Sequence, residues 1–180
     1  MKILAISGSL RAASINSALL RTAALLAPPE VDITLCSMIG DLPLFNPDLE
    51  LQVPSSVARL REAVAAADAL LIASPEYAHG VTGTIKNMLD WLVSFESFYN
   101  KPVALLNASP RAHHADFAMR EILKTMSAAI VEDASFTIPL MGANITEESM
   151  ASSPVISQAI RDALAALYRA VASKSILDGK

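Results

Sequence analysis

Short apolar runs separated by longer amphipathic stretches set the rhythm of this chain. Ile3–Ile6, Val31–Leu35, Ala69–Ala73 and Val103–Leu106 each have the length of a strand buried on both faces, and loop chemistry follows each one before a helical pattern begins. Helical spacing places Leu19, Leu20, Ala23 and Leu26 on one face, then Val57, Leu60 and Val64, then Ile85, Met88, Leu89 and Leu92. A fourth helix is expected from about Asp116 to Ala128, and a fifth strand near Ala134–Ile138. Ser153-Pro154 opens a last helix carrying Ile156, Ile160, Leu164, Leu167 and Val171. This alternation predicts parallel βαβ units in a doubly wound sheet. Two proline-bounded connections, Pro43 to Pro54 and Pro139 to Pro154, are long for turns and read as functional or interface loops.

Composition narrows the class. A length of 180 residues, 53% of them hydrophobic, suits a single domain spanning 1–180 with a substantial core. The apolar runs are too short to span a membrane, and the start of the chain runs into a strand without a small-residue cleavage site, so a cytoplasmic protein is expected. Cys36 is the only cysteine, which excludes an intrachain disulfide or a thiolate metal cluster; it reads as a small residue ending the second strand. A net charge of −4 argues against a nucleic-acid partner.

In an open parallel sheet, ligands sit beyond the carboxyl ends of the strands, where the strand order reverses. That directs attention to residues 7–16, 74–81 and 107–115. The first of these loops offers hydroxyls on Ser9, Ser14 and Ser17, the amide of Asn16 and the guanidinium of Arg11, all suited to an anion at the start of a helix. It lacks the Gly-Lys-Ser/Thr of a P-loop and the Gly-x-Gly-x-x-Gly of a dinucleotide fold. An ordinary strand-to-helix turn with Ser14 or Asn16 as N-cap accounts for part of the same pattern.

The second loop, Ser74-Pro75-Glu76-Tyr77 through Lys86-Asn87-Met88-Leu89-Asp90-Trp91, resembles the Pro-Glu-Tyr-Asn and Leu-Lys-Asn-Ala-Ile-Asp-Trp signature of the NAD(P)H-dependent FMN reductases. Gly8, Ser9, Arg11, Ser14 and Asn16 match the Gly-Ser-x-Arg-x-x-Ser-x-Asn of that family's first loop. The resemblance implies a flavodoxin-like three-layer αβα sandwich with a five-stranded parallel sheet in the order 2-1-3-4-5. It implies FMN with its phosphate on Ser9, Arg11, Ser14, Asn16 and Ser17, its ring against Pro75, Glu76 and Tyr77, and Ser109 of the third loop in the same cofactor-binding set. NAD(P)H would be the hydride donor, and the acceptor a small molecule such as a quinone, an azo compound, a metal oxyanion or free flavin. A homodimer or homotetramer is implied as well, with Phe95, Phe98 and Tyr99 as candidates for its boundary or for ordinary core. Lys86, Asn87, Asp90 and Trp91 match the motif too and read chiefly as structural or interface residues.

The sequence departs from the family pattern at Ala78, where Asn is usual, at Thr82, where Pro is usual, and in Asn107-Ala108-Ser109-Pro110-Arg111, where a glycine-rich stretch is usual. These changes are expected to remove ring-side contacts or rigidity. His79, His113 and His114 all fall in the ring-side loops, and the adjacent pair, without a carboxylate or cysteine at ligand spacing, is not expected to hold a metal. Arg111 is a candidate for the phosphates of NAD(P)H. A flavodoxin-type electron carrier, binding FMN without oxidising nicotinamide, is the alternative. A serine hydrolase built on Ser9 is excluded, because no histidine occurs after His114 to serve as its base.

Overall fold

β1 (Lys2–Ser7), β2 (Asp32–Leu35), β3 (Ala69–Ala73) and β4 (Pro102–Asn107) form a parallel sheet in the order β2-β1-β3-β4. The computed structural model describes residues 1–140 and 145–178. Ile3 pairs with Ile33 on one side and Ala69 on the other, and Leu70 pairs with Val103. The central strands β3 and β4 are buried at every position, whereas the edge strand β2 exposes most of its residues. Continuous apolar runs are what strands covered on both faces require.

Period-two alternation divides the core in two. Ile3, Ala5, Leu71 and Leu106 face Leu19, Leu20 and Ala23 of α1 (Ile15–Leu26) and Ile160, Leu164 and Leu167 of the long C-terminal helix. Leu4, Ile6, Leu70 and Leu105 face Val57, Leu60 and Val64 of α2 (Ser55–Ala66), Ile85 and Met88 of α3 (Gly83–Asp90), and Met119 and Leu123 of α4 (His113–Thr125). Each fully buried Leu or Ile contributes roughly 1.5–3 kcal/mol, so the two layers together hold the sheet rigid beneath its loops.

Three elements differ from the sequence reading. The fifth strand is two short pieces, β5 (Ala129–Ile130) beside the start of β4 and β6 (Phe136–Thr137) beside its end, rather than one run at Ala134–Ile138. Between them a 3₁₀ turn, Glu132–Ala134, leaves the sheet, and the Ser135 hydroxyl takes over as acceptor for Leu105 N–H at 3.0 Å. Arg120 secures this turn by reaching both Asp116 and Glu132. α4 begins at His113 rather than Asp116 and ends at Thr125. The connection from Pro139 to Pro154 carries a further helix, α5 (Glu147–Ser152), started by a reciprocal capping box between Thr146 and Ser149; its residues 141–144 lie outside the described residues. The last helix, α6, runs Pro154–Asp178 as its Ser-Pro start predicts.

The other proline-bounded connection is pinned from below. Asn87 accepts from Phe45 N–H at 2.8 Å and donates to the Pro43 carbonyl at 3.0 Å, and Trp91 Nε1 donates to the same carbonyl at 2.8 Å. Arg61 holds Glu50 and the Trp91 carbonyl. The Asn and Trp of the second motif therefore act structurally, as expected. Phe98 is core, Phe95 lies under Arg61, and only Tyr99 of that aromatic trio is exposed. Cys36 is buried just beyond β2, and burial pushes its thiol above the ordinary value.

Candidate functional site

The chain leaves β1 toward β2 on one side and returns to β3 on the other, so the loops after β1 and β3 diverge and open a crevice at the carboxyl edge. A cleft of about 300 Å³ lies there, lined by Asn16, Pro75, Glu76, Ser109 and Arg111 among others. All three expected loops thus meet in one place. Arg11 and Ser14 line an adjoining cavity of about 610 Å³, shared with Arg21 and Thr146. Ser9 and Ser17 shape the loop between, and Tyr77 stands outside the cleft, 58% exposed.

Ser14 is the N-cap of α1: its hydroxyl accepts from Ser17 N–H at 3.3 Å. Ser17 Oγ in turn shares a 2.7 Å hydrogen bond with Ser7 Oγ, and Ser9 Oγ accepts from Arg11 N–H at 3.3 Å. The serines are thereby fixed in place, while the Ile15 and Asn16 N–H groups of the first turn remain the natural anion donors. Asn16 is 5% exposed, and its Oδ1 is buried with no hydrogen-bond partner among the described residues. A buried acceptor left unpaired costs about 1–3 kcal/mol, which a donor entering the cleft removes.

Gly8 shows how closely the first two loops approach. A Cβ there would stand 2.0 Å from Ser74 Oγ and 2.6 Å from Ser74 Cβ, so only glycine fits. Thr82 completes the joint, donating to the Gly8 carbonyl at 2.7 Å and accepting from Ile85 N–H at 3.2 Å as the N-cap of α3. Replacement of the usual proline was expected to cost rigidity; the threonine instead supplies a cross-loop bond. In the sequence Thr82 reads only as a lost proline, and neither its cap nor its partner is foreseen there.

Pro75 and Glu76 lead into a tight turn in which Tyr77 and Gly80 exchange both backbone hydrogen bonds. Its central residues, Ala78 and His79, have φ of 49° and 57°. Such values suit Asn or Gly and carry a cost in alanine. Glu76 turns toward α4, where its Oε2 accepts from Ala115 N–H at 2.8 Å. That backbone bond, opposed by partial burial and reinforced by His114 and His79, holds its carboxyl below the ordinary value. Glu76 thus caps a helix 39 residues away, which is why α4 starts early although Ala112 supplies no side-chain cap.

The third loop keeps its shape without glycine. Asn107 Oδ1 accepts from Ser109 N–H at 3.0 Å and Nδ2 donates to the Ala112 carbonyl at 3.2 Å, with Ser109 Oγ accepting from Arg111 N–H. Sequence reasoning passed over Asn107, although Asn two residues before Ser after a strand is the pattern of an Asx turn. The rings of His79 and His114 stack at 4.3 Å, and His113 follows at 4.1 Å. Lone pairs of face-to-face imidazoles do not converge on one ion, and no group of metal-binding side chains occurs among the described residues.

A parallel 2-1-3-4-5 sheet with a cleft at its switch point defines a flavodoxin-like protein of the kind that holds a mononucleotide. The model of the NADPH-dependent FMN reductase family matches residues 1–141, and the chain belongs to that family, an oxidoreductase family. An NAD(P)H-dependent FMN reductase of Pseudomonas aeruginosa is 46% identical over 112 residues, which are 61% of this chain and 60% of that protein. A quinone reductase of Escherichia coli is 29% identical over 143 residues, 76% of each chain. The flavoenzyme NAD(P)H:(acceptor) oxidoreductase of Paracoccus denitrificans shares the fold, with a TM-score of 0.72 at 24% identity over 93% of this chain and 97% of that one.

Proposed function

We propose that the chain binds FMN across the three loops and passes hydride from NAD(P)H through it to a small-molecule acceptor such as a quinone, an azo compound, a metal oxyanion or free flavin. The observation that carries this reading is Asn16, which lines a cleft built from three strand ends and whose buried Oδ1 has no hydrogen-bond partner among the described residues. A ribityl hydroxyl is a donor of the right kind for that oxygen. The α1 N-terminus with Arg11 suits the phosphate, and Ser9, Ser14 and Ser17 hold the loop that presents both. Pro75, Glu76 and Ser109 bound the ring end, with Tyr77 exposed on the turn just outside it. When bound, FMN supplies the electron chemistry; the protein positions it and keeps the three loops fixed. Gly8, Thr82 and Asn107 perform that second task.

One domain over 1–180, a cytoplasmic location and a homodimer or homotetramer belong to the same proposal. Leu44, Leu51 and Val93 are exposed apolar residues on and beside the pinned connection, which is consistent with a subunit boundary. No described helix is long and apolar enough to cross a membrane.

Gel filtration after FMN addition tests the reading: flavin absorbance should co-elute with the protein, and anaerobic NADPH should bleach it. Retained flavin that stays yellow indicates an electron carrier. Complete loss of flavin, with no NAD(P)H oxidation in the presence of FMN and a quinone, refutes the reading.

A further inference from the structure

Resting on the reductase reading, we propose that the stack of His79, His114 and His113, together with Arg111, forms the rim that recognises the phosphorylated adenosine end of NADPH and distinguishes it from NADH. The rim continues the cleft wall. Glu76 and Arg111 line the cleft, and the stack begins immediately beyond them, His79 following the Glu76 turn and His113 following Ala112. All three imidazoles and Arg111 are exposed.

The backbone holds this arrangement at a cost. His79 has a φ of 57°, in a turn whose other central residue, Ala78, is also left-handed. Its ring lies nearly parallel to that of His114, with an interplanar angle of 26° at 4.3 Å. His113 meets His114 at 37° and 4.1 Å. Three rings, one from the β3 loop and two from the start of α4, thus form a short stack whose end rings, His79 and His113, offer faces of the kind on which a purine stacks.

The charges nearby favour an anion on the outer side. Among the described residues Arg111 is held through its backbone N–H to Ser109 Oγ and its guanidinium makes no hydrogen bond or ion pair, which suits it to fork across phosphate oxygens. Imidazole N–H groups add donors of the same polarity. Glu76 remains a carboxylate and turns toward α4, where it accepts from Ala115 N–H, while Asp116 is paired with Arg120. An adenine on the rings with a ribose 2′-phosphate between imidazole and guanidinium uses all of these groups, and a nucleotide lacking that phosphate does not.

Calorimetry on the FMN-loaded protein tests the proposal with adenosine 2′,5′-bisphosphate and adenosine 5′-monophosphate. The bisphosphate should bind about tenfold more tightly, the effect of one charge-assisted contact. In the His79→Asn/His114→Gln double variant, where Asn still suits the left-handed turn, that preference should disappear. The ratio of kcat/KM for NADPH to that for NADH should fall by a similar factor, and likewise for Arg111→Gln. Equal affinities, binding of neither nucleotide, or a preference that survives in the variants overturns the proposal. Failure to retain FMN is a separate result, and it counts against the reductase reading itself.

Discussion

The Thr82 hydroxyl donates to the Gly8 carbonyl across 2.7 Å, joining the loop after β1 to the helix that follows β3. The same oxygen accepts from Ile85 N–H, so one buried side chain both starts α3 and ties together the two loops at the carboxyl ends of β1 and β3. Thr82→Val removes both bonds at nearly constant volume. It should lower stability by about 1–2 kcal/mol in urea unfolding, whereas Thr82→Ser keeps most of it. A valine variant as stable as the parent would show that the joint is incidental.

Gly8→Ala should be more damaging to the site than its size suggests. The added methyl meets Ser74 Oγ and Cβ well inside contact distance, which forces the β1 and β3 loops apart. A cost of about 1–3 kcal/mol is expected, with reduced FMN retention. Adding Ser74→Gly removes the two closest atoms, leaving Ser74 Cα at 3.2 Å as the nearest neighbour named, so the double variant should recover part of both losses.

Ala78 occupies a left-handed position that glycine adopts freely. Ala78→Gly should therefore raise stability, by about 0.5 kcal/mol once the greater freedom of glycine in the unfolded chain is subtracted. The thermal midpoint of the two proteins, measured side by side, checks the sign.

The depressed carboxyl of Glu76 makes a pH prediction. Because the folded state holds the charged form more strongly than the unfolded chain, the stabilisation is fully present above the ordinary value of 4.5 and is lost as pH falls through the lower folded value. The difference in urea midpoint between the parent and Glu76→Gln should be constant near neutral pH and shrink in acid. A difference that grows in acid contradicts the Glu76 to Ala115 cap.

Arg11→Ala and Asn16→Ala should each weaken FMN binding, the former by about tenfold for a charge-assisted phosphate contact. Lys86→Ala should have a much smaller effect, since Lys86 pairs with Asp90 along α3. Equal Kd values for Arg11→Ala and Lys86→Ala in a flavin titration would reverse this ranking.

Much of this architecture was legible without coordinates. The runs around Ile6, Ile72 and Leu105 are apolar at successive positions because their strands are covered on both faces, and their alternation with amphipathic helices points to a parallel sheet. The fifth strand was less legible, because its break depends on Ser135 supplying a side-chain acceptor to Leu105 of another strand. The start of α4 was misplaced for a similar reason: its cap, Glu76, comes from a different loop.

Local sequence therefore determined what depends on neighbours along the chain: buried strands, amphipathic helices, Ser14 as one of two candidate caps, and the two loop motifs. Tertiary structure decided what depends on residues far apart in sequence. It placed Thr82 on Gly8, Glu76 on Ala115 and His79 on His114, and it left Asn16 Oδ1 without a partner among the described residues. Hydrogen bonds and ring contacts act over a few ångströms of space. No spacing along the chain reveals which distant partner folding will bring within that reach.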